Sequence, residues 1–122
     1  MKNYLIDCLK SCFTYDTCHP SYRDQWSIIN ASAGHCAVAS LVIQEFFGGE
    51  IHKVKVGRYI HYFNIINNVI IDSTVSQFIP LKLEVNYNDS IKVNRDKLLS
   101  VKNVNERYVL LKTRFLNYFS KK

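Results

Sequence analysis

Cys36, His61 and Asp72 are the side chains of this sequence best suited to chemistry. Cys36 follows a glycine-containing loop and begins an apolar stretch that predicts a buried helix. In the first turn of a helix, unpaired backbone N–H groups and the helix dipole favour the thiolate, which is a nucleophile at neutral pH. An imidazole can accept the thiol proton, and a carboxylate can hold the other ring nitrogen in place. These residue types predict a catalytic trio for acyl transfer.

A predicted hairpin allows the histidine and the aspartate to meet. If Asn67 and Asn68 form a two-residue turn, antiparallel pairing places Asp72 opposite Phe63 and on the same face of the sheet as His61. The two side chains are then diagonal neighbours, about 7–8 Å apart at the backbone, which an imidazole and a carboxylate can span. A three-residue turn would move them to opposite faces.

Acyl transfer also needs donors for the oxygen that becomes negative in the transition state. The backbone N–H of Cys36 is one candidate donor, and the side-chain amide of Asn30 or Gln25 is a second. Trp26 could form a wall of the substrate cleft. Simpler roles stay open for these residues, because Asn30 is also a typical turn residue and a lone tryptophan often packs in a core.

Each member of the trio also has a purely structural explanation. Cys36 could be an inert core residue, His61 a strand histidine bonded to the backbone, and Asp72 a turn cap. The three residues together weaken these explanations, because their order lets them converge. Three other histidines compete for the role of base, namely His19, His35 and His52.

The remaining cysteines allow a zinc-stabilised structural protein as an alternative. Cys8, Cys12, Cys18 and His19 lie close in sequence, but they lack the paired Cys-x2-Cys knuckles typical of zinc sites. Cys8 and Cys12 are one helical turn apart and suit an apolar helix face as small hydrophobic residues. We therefore expect no metal and no cofactor.

The composition predicts one domain over residues 1–122 with an apolar core. Of the 122 residues, 48% are hydrophobic and 21% charged, which excludes a disordered or low-complexity chain. The longest apolar run has four residues, whereas a bilayer-spanning helix needs roughly 20. The first residues contain no secretory apolar stretch. We expect a cytoplasmic protein with reduced thiols and no membrane partner.

The basic end of the chain supports a second, non-enzymatic interpretation. Residues 92–122 hold nine Lys or Arg and two Asp or Glu, a net charge of +7. A binding module could use this C-terminal segment to contact nucleic acid or an acidic protein. Nucleic acid is the less favoured partner, because no nucleic-acid-binding signature accompanies the charge, and a solvated helix face is the commoner explanation of such a charge run.

The hydrophobic pattern predicts an α+β fold in which the helix carrying Cys36 packs on a small antiparallel sheet, with helices at both ends of the chain. The predicted last helix is capped by Asn105 and packs through Val109, Leu111, Phe115, Leu116 and Phe119. The predicted elements are a helix over 3–13, a loop over 14–33, a helix over 37–47, strands over 51–56, 59–66 and 69–72, a turn over 75–78, and helices over 97–101 and 106–119. Residues 81–93 carry no clear pattern.

Several motifs resemble the YunG family of small bacterial proteins. They are Trp26, Asn30, Gly34-His35-Cys36-Ala37-Val38, Gln44-Glu45-Phe46-Phe47-Gly48-Gly49-Glu50, His61-Tyr62-Phe63-Asn64, Asp72-Ser73-Thr74, Gln77-Phe78, Arg107-Tyr108 and Leu110-Leu111. The resemblance covers roughly residues 20–120 and implies a fold more than an activity.

The order of the trio is similar to that of the papain-like and transglutaminase-like cysteine enzymes. This resemblance implies that Cys36 is the nucleophile, His61 the base and Asp72 the orienting acid. The Cys-Gly-Ser-Cys-Trp signature of papain is absent, and the interval from Cys36 to His61 is much shorter than in papain. A minimal transglutaminase-like core therefore fits better than a papain-type cleft.

These observations predict a small cysteine hydrolase or acyl transferase that acts on an amide or isopeptide bond. Peptidase, amidase and deamidase activities share this chemistry. We expect a peptide, a protein side-chain amide or a small amide as substrate, because a chain of this length leaves little surface for an extended groove. The sequence leaves the acyl acceptor and the oligomeric state open.

Overall fold

An open, four-stranded antiparallel sheet carries the residues of interest. The structure is a computed structural model and describes residues 2–120. Over these residues the elements are α1 Lys2–Lys10, α2 Cys36–Phe47, β1 Glu50–Val56, β2 Tyr59–Ile66, β3 Val69–Ile71, β4 Ile91–Val93, α3 Arg95–Leu99 and α4 Lys102–Ser120. The strand order is β3-β2-β1-β4. The predicted α+β class, with a cysteine-bearing helix on the sheet and helices at both ends, is confirmed.

Helix α2 is the buried helix that the sequence predicts. It starts at Cys36, one residue earlier than expected, and its residues 38–43 are all buried. The helix ends at Gly48, whose φ of 75° suits glycine and whose N–H donates to the carbonyl oxygen of Gln44. Because α2 packs against both β2 and α4, its first residue is held between the sheet and the C-terminal helix.

The β2–β3 hairpin has the predicted two-residue turn. Asn67 and Asn68 have φ values of 52° and 63°, the left-handed conformation that tight hairpin turns require. Ile66 therefore pairs with Val69. Strand β3 ends at Ile71 rather than at residue 72, so Asp72 is the first residue after the strand.

The first helix is shorter than predicted, and one strand was missed. Helix α1 ends at Lys10, not at residue 13, because the N–H groups of Cys12 and Phe13 bond three residues back in a turn. Strand β4 lies at the end of the unassigned segment 81–93 and pairs antiparallel with β1. It has only three residues, with Ile91 exposed at the sheet edge, which is too short for a period-two pattern.

The C-terminal helix begins four residues earlier than predicted. Asn105 is not its cap, because α4 starts at Lys102 and the Asn105 N–H donates to the carbonyl oxygen of Val101. The predicted packing stripe is only partly right, since Leu111 and Phe115 are buried while Val109, Leu116 and Phe119 are exposed. The face that packs inward consists of Val104, Arg107, Tyr108, Leu111 and Phe115. These residues recur with the 3.6-residue period of an α-helix, so they lie on one side of it.

The sheet separates two apolar clusters. The larger cluster joins α1, α2 and α4 to Ile51 and Ile66 of the sheet. The smaller cluster consists of Val54, Val56, Phe63 and Phe78. Since side chains alternate between the faces of a strand, Phe63 and Ile66 belong to opposite faces of β2. His61 shares the face of Phe63, next to the smaller cluster.

Candidate active site

Cys36 owes its position to a tightly packed loop before α2. Gly34 has a φ of +73°, and a Cβ atom there would lie 2.5 Å from the Cys18 sulfur. His35 is fully buried, with Nε2 2.6 Å from Thr17 Oγ1 and Nδ1 3.0 Å from the Ala33 carbonyl oxygen. These contacts fix the conformation of the loop and therefore the position of Cys36 in the first turn of the helix.

His35 is a structural residue rather than a competing base. Burial lowers its pKa to about 4, so the ring stays neutral at physiological pH. It stacks on Phe13, with ring centroids 4.4 Å apart. Both ring nitrogens already have partners, which are Thr17 Oγ1 and the Ala33 carbonyl oxygen.

His61 and Asp72 form a buried hydrogen-bonded pair. The Nε2 atom of His61 lies 2.7 Å from Oδ2 of Asp72, and the side chains are 0% and 5% exposed. The same carboxylate oxygen accepts the Tyr87 hydroxyl at 2.8 Å, and Oδ1 accepts the Thr74 N–H at 3.4 Å. The carboxylate is thus held by three donors from three segments.

The protonation of His61 reflects two opposing effects. Burial of the ring lowers its pKa, but hydrogen bonds and negative charges from Asp72 and Cys36 outweigh burial and raise it to about 9. The imidazolium form is therefore favoured at neutral pH when the thiolate is present. This is the charge state of a thiolate–imidazolium pair.

The second ring nitrogen of His61 faces Gln77. Because Nε2 is bonded to Asp72, Nδ1 is the nitrogen left for a thiol. The Gln77 amide nitrogen lies 3.4 Å from Nδ1 and also donates to Thr74 Oγ1 at 3.1 Å. Gln77 is thus an amide close to Nδ1, and its sequence spacing did not mark it as a site residue, although Gln77-Phe78 is one of the motifs that resemble the YunG family.

Aromatic rings shield the pair from water. The edge of Phe78 meets the His61 ring with centroids 4.8 Å apart, and Phe63 stacks beside it at 6.2 Å. Tyr87 packs edge-on against Phe63, which brings its hydroxyl to Asp72. In such a low-dielectric setting the charge of the carboxylate acts strongly on the ring.

Cys36 lines a cavity, whereas His61 and Asp72 are buried. Its sulfur makes a long contact of 3.9 Å with the carbonyl oxygen of Ile60, the residue before His61. The side chain is half-buried and lines a cavity of about 330 Å³ with Tyr22, Tyr62 and Ile60. Burial, followed by a negative charge on Cys36, raises the pKa of both tyrosines. The sulfur therefore lies where a bound molecule can reach it.

Comparison with known proteins places this chain in a family. The family model described as YunG protein matches residues 2–120. This chain belongs to the YunG family. The uncharacterized protein YunG of Bacillus subtilis (strain 168) is 44% identical over 54 residues. The match spans 44% of this chain and about half, 47%, of that relative. No solved structure matches significantly.

The loop residues predicted to support catalysis lie elsewhere in this YunG-family structure. Asn30 Nδ2 makes a long 3.5 Å contact with the Gln25 carbonyl oxygen, and Trp26 Nε1 donates to the Ala31 carbonyl oxygen at 3.1 Å. None of Gln25, Trp26 and Asn30 is among the described residues that line the cavity beside Cys36. The reason is local, because the segment closes on itself through a bridge between Ser27 and Asn30.

The competing histidines and cysteines have other partners. His52 contacts Glu50 at 2.9 Å and Ser90 at 3.2 Å, and His19 Nδ1 accepts the Ser21 N–H at 3.0 Å. All four cysteines are free thiols, and all except Cys36 are buried. Within residues 2–120, no group of three or more His, Cys, Asp or Glu is placed to hold a metal ion.

Most cations of α4 are engaged within the molecule. Lys112 contacts Glu45 at 2.5 Å, Arg114 contacts Asp16 at 2.6 Å, and Arg107 is buried. Lys121 and Lys122, which belong to the predicted basic surface, lie outside the described residues. In the part of the chain that the structure covers, no helix has the length and apolar character to span a bilayer.

Proposed function

We propose that this chain is a small cysteine hydrolase or acyl transferase of amide or isopeptide bonds. Cys36 is the nucleophile, His61 the base and Asp72 the orienting acid, in an arrangement similar to that of papain-like and transglutaminase-like enzymes. The observation that carries the proposal is the buried His61–Asp72 hydrogen bond of 2.7 Å beside a half-buried thiol at a helix N-terminus. The shift in the His61 pKa toward the protonated ring supports the same assignment.

In each half of the reaction Nδ1 of His61 takes up one proton and gives it back. The Cys36 S–H turns from the Ile60 carbonyl oxygen and gives its proton to Nδ1, and the thiolate attacks the amide carbonyl carbon. The C–N bond breaks, the amine leaves with the proton from Nδ1, and a thioester remains on Cys36. Water or an amine then attacks the thioester as Nδ1 takes its proton, the C–S bond breaks, and Nδ1 returns the proton to the sulfur, so the thiol is restored.

We assign two donors to the oxygen of the tetrahedral intermediate. As the first residue of α2, Cys36 offers a backbone N–H that has no acceptor within the helix. The Gln77 amide lies beside Nδ1 of His61 and is the second donor in this proposal, in place of Asn30 or Gln25. Such donors stabilise the transition state because the negative charge develops next to them.

The site suits a short substrate. The volume of about 330 Å³ is at the lower end of the range for small-molecule sites, roughly 300–1,000 Å³. His61 and Asp72 are buried, so the substrate approaches from the side of Cys36 alone. A peptide end, a side-chain amide or a small amide meets these limits.

Thiol labelling tests the proposal directly. Iodoacetamide should modify Cys36 much faster than Cys8, Cys12 or Cys18 in the folded protein, with the site identified by peptide mass spectrometry. The His61→Ala variant should label about tenfold more slowly at neutral pH. Cys36→Ala should abolish the rapid phase and serves as the matched control.

The proposal is wrong if all four thiols react at the same rate while the protein is folded. It is also wrong if His61→Ala, with an unchanged unfolding temperature, leaves the rate at Cys36 unaltered. A second test is mass spectrometry of the protein incubated with short peptides and amides, which should detect the thioester as an added acyl mass on Cys36.

A further inference from the structure

The cavity beside Cys36 has cationic walls. Arg58 and Arg107 line it together with His19, whose pKa is lowered by burial so that the ring is neutral, and no Asp or Glu is among its lining residues within the described chain. Arg58 lies at the turn between β1 and β2, is exposed, and places its guanidinium 5.5 Å from the centre of the Tyr59 ring. The lining therefore has excess positive charge next to the nucleophile.

Arg107 is the unusual member of this set, because it is a buried cation held by neutral acceptors. It is 5% exposed, and its Nη1 donates to the carbonyl oxygens of Thr17 and Gly34 at 3.2 and 3.4 Å. Its Nε and Nη2 both donate to Asn103 Oδ1. Over residues 2–120 no carboxylate pairs with it. Carbonyl and amide oxygens fix the guanidinium without cancelling its charge.

The charge of Arg107 acts on the region of the thiol. Burial lowers the pKa of Arg107, and negative charge on Cys18 or Cys36 raises it, so the guanidinium lies within electrostatic range of both sulfurs. Its acceptor Gly34 is two residues before Cys36. An anion in the cavity would thus be attracted from the inner wall by Arg107 and from the rim by Arg58.

The other walls favour an apolar group. Tyr22, Tyr62, Leu98 and Val101 also line the cavity. Aromatic and aliphatic walls with a few charged groups are typical of sites that orient a small amphipathic ligand. The volume leaves room for about one amino-acid residue and the bond to be attacked.

We propose that the substrate attacked by Cys36 is a small amide of an amino acid with a free carboxylate, and that Arg58 and Arg107 bind this carboxylate. The inference rests on the proposed function and specifies its substrate class. The C-terminal residue of a short peptide is the simplest molecule that satisfies it, with the apolar side chain against the tyrosines. Arg107 is a binding residue in this assignment and does not take part in the chemistry.

A simpler role for the two arginines is to stabilise the Cys36 thiolate. That role predicts that removing a cation slows every alkylating reagent by the same factor, because only the thiolate fraction changes. Recognition of an anion predicts that negatively charged reagents lose more than neutral ones. The ratio of two rates at the same thiol separates the two roles.

The experiment compares two alkylating reagents. Iodoacetate carries a negatively charged carboxylate, and iodoacetamide carries a neutral amide in its place. For Cys36 the ratio of the iodoacetate rate to the iodoacetamide rate should exceed that for a free thiol such as glutathione at the same ionic strength. Arg58→Gln should lower the ratio about fivefold, a change typical of a partly exposed ion pair. Lys10→Gln, which removes an exposed cation from α1, should leave it unchanged. Added salt should lower the ratio in the wild type.

Arg107 is tested with a conservative substitution, because removing its buried side chain can unfold the protein. Arg107→Lys keeps the charge and loses the planar fork, so it should lower the ratio less than Arg58→Gln if the variant melts as the wild type does. Peptides that end in a carboxylate should be cleaved faster than the same peptides ending in a carboxamide.

The outcomes distinguish the two proposals. Rapid reaction of Cys36 with iodoacetamide, with a ratio equal to that of the free thiol and unaffected by Arg58→Gln, overturns the substrate class and leaves the cysteine enzyme standing. Equal loss of the ratio in Lys10→Gln overturns it too, since the effect is then one of net charge. If Cys36 reacts no faster with iodoacetamide than the buried thiols, the proposed function fails and the substrate class with it.

Discussion

The Nε2 atom of His61 lies 2.7 Å from Oδ2 of Asp72, and the hairpin between β2 and β3 produces this contact. Asn67 and Asn68 adopt left-handed conformations, so the turn has two residues and Ile66 pairs with Val69. That register puts Asp72 diagonally across from His61 on one face of the sheet. A polar pair in a buried position is therefore a consequence of turn geometry.

Replacing Asp72 by Asn should slow the reaction of Cys36 with iodoacetamide by about 10- to 100-fold at pH 7. The amide is nearly isosteric but carries no charge, so it supports the imidazolium less well and disfavours the thiolate–imidazolium pair. The rate measured from pH 5 to 10 should therefore begin to rise at a higher pH in the variant than in the wild type, because the thiolate is the species that reacts.

Asp7→Asn is the matched control, since it removes an exposed carboxylate from α1. Its profile should coincide with that of the wild type. Coincidence of all three profiles would show that Asp72 has no influence on the thiol and serves only the fold.

The stability of the fold should depend on pH through His61. Its pKa in the folded protein is about 9, above the ordinary value of 6.5, so folding favours the protonated ring. This contribution is fully present below pH 6.5 and is lost as the pH rises through 9. We expect the difference in unfolding free energy between wild type and His61→Gln to shrink by on the order of 2 kcal/mol over that interval.

Urea unfolding at several pH values measures this difference. Other groups that titrate in the same range, including the buried Cys12 and Cys18, whose pKa values burial raises, are present in both proteins and cancel. A constant difference from pH 6 to 10 would mean that the ring has the same affinity for a proton in the folded and unfolded chains.

The parts of the site that follow from local rules were predictable from sequence. A pair of asparagines between apolar runs predicts the hairpin, and the hairpin predicts that His61 meets Asp72. The glycine before Cys36 and the apolar run after it predict a helix start. In each case neighbours in sequence determine the geometry, so spacing alone is informative.

The rest of the site depends on packing between distant segments. Tyr87 reaches Asp72 from a segment with no periodic pattern, and Gln77 reaches His61 from a 3-10 turn. Arg107 is a polar residue on the buried face of α4, where a hydrophobic pattern predicts none. Asn30 and Gln25 lie in a loop that closes on itself and are not among the described residues that line the cavity beside Cys36, which residue types did not reveal.

Tyr87→Phe should remove one hydrogen bond to the Asp72 carboxylate without removing the charge of that carboxylate. The variant loses the 2.8 Å hydrogen bond to Oδ2 but keeps the ring against Phe63. A hydrogen bond to a charged group contributes about 1.5–3 kcal/mol, so the unfolding free energy should fall by about 2 kcal/mol. The iodoacetamide rate at Cys36 should fall less than in Asp72→Asn.

Tyr15→Phe, at an exposed tyrosine, is the control and should change neither quantity. A Tyr87→Phe protein as stable and as reactive as the wild type would show that water replaces the hydroxyl at no cost.

Gly34→Ala should be more damaging than Gly48→Ala, although both glycines have a φ near +75°. Both substitutions carry a conformational penalty, because L side chains rarely adopt a positive φ. Only at Gly34 does the new Cβ also meet neighbours, at 2.5 Å from the Cys18 sulfur and 3.0 Å from the His19 nitrogen, whereas nothing lies within 4 Å at Gly48. The difference in unfolding free energy should therefore be about 2 kcal/mol, the usual cost of overpacking.

Because the Gly34 loop delivers Cys36 to α2, Gly34→Ala should also slow the reaction of that thiol with iodoacetamide. Adding Cys18→Ala removes the sulfur from the collision and should restore part of the stability, and part of the rate if the loop returns to its place. The backbone nitrogen of His19 stays in the way, so full recovery is not expected. If Cys18→Ala gives no recovery in the Gly34→Ala protein, the damage comes from backbone strain alone, and the sulfur has no part in positioning the nucleophile.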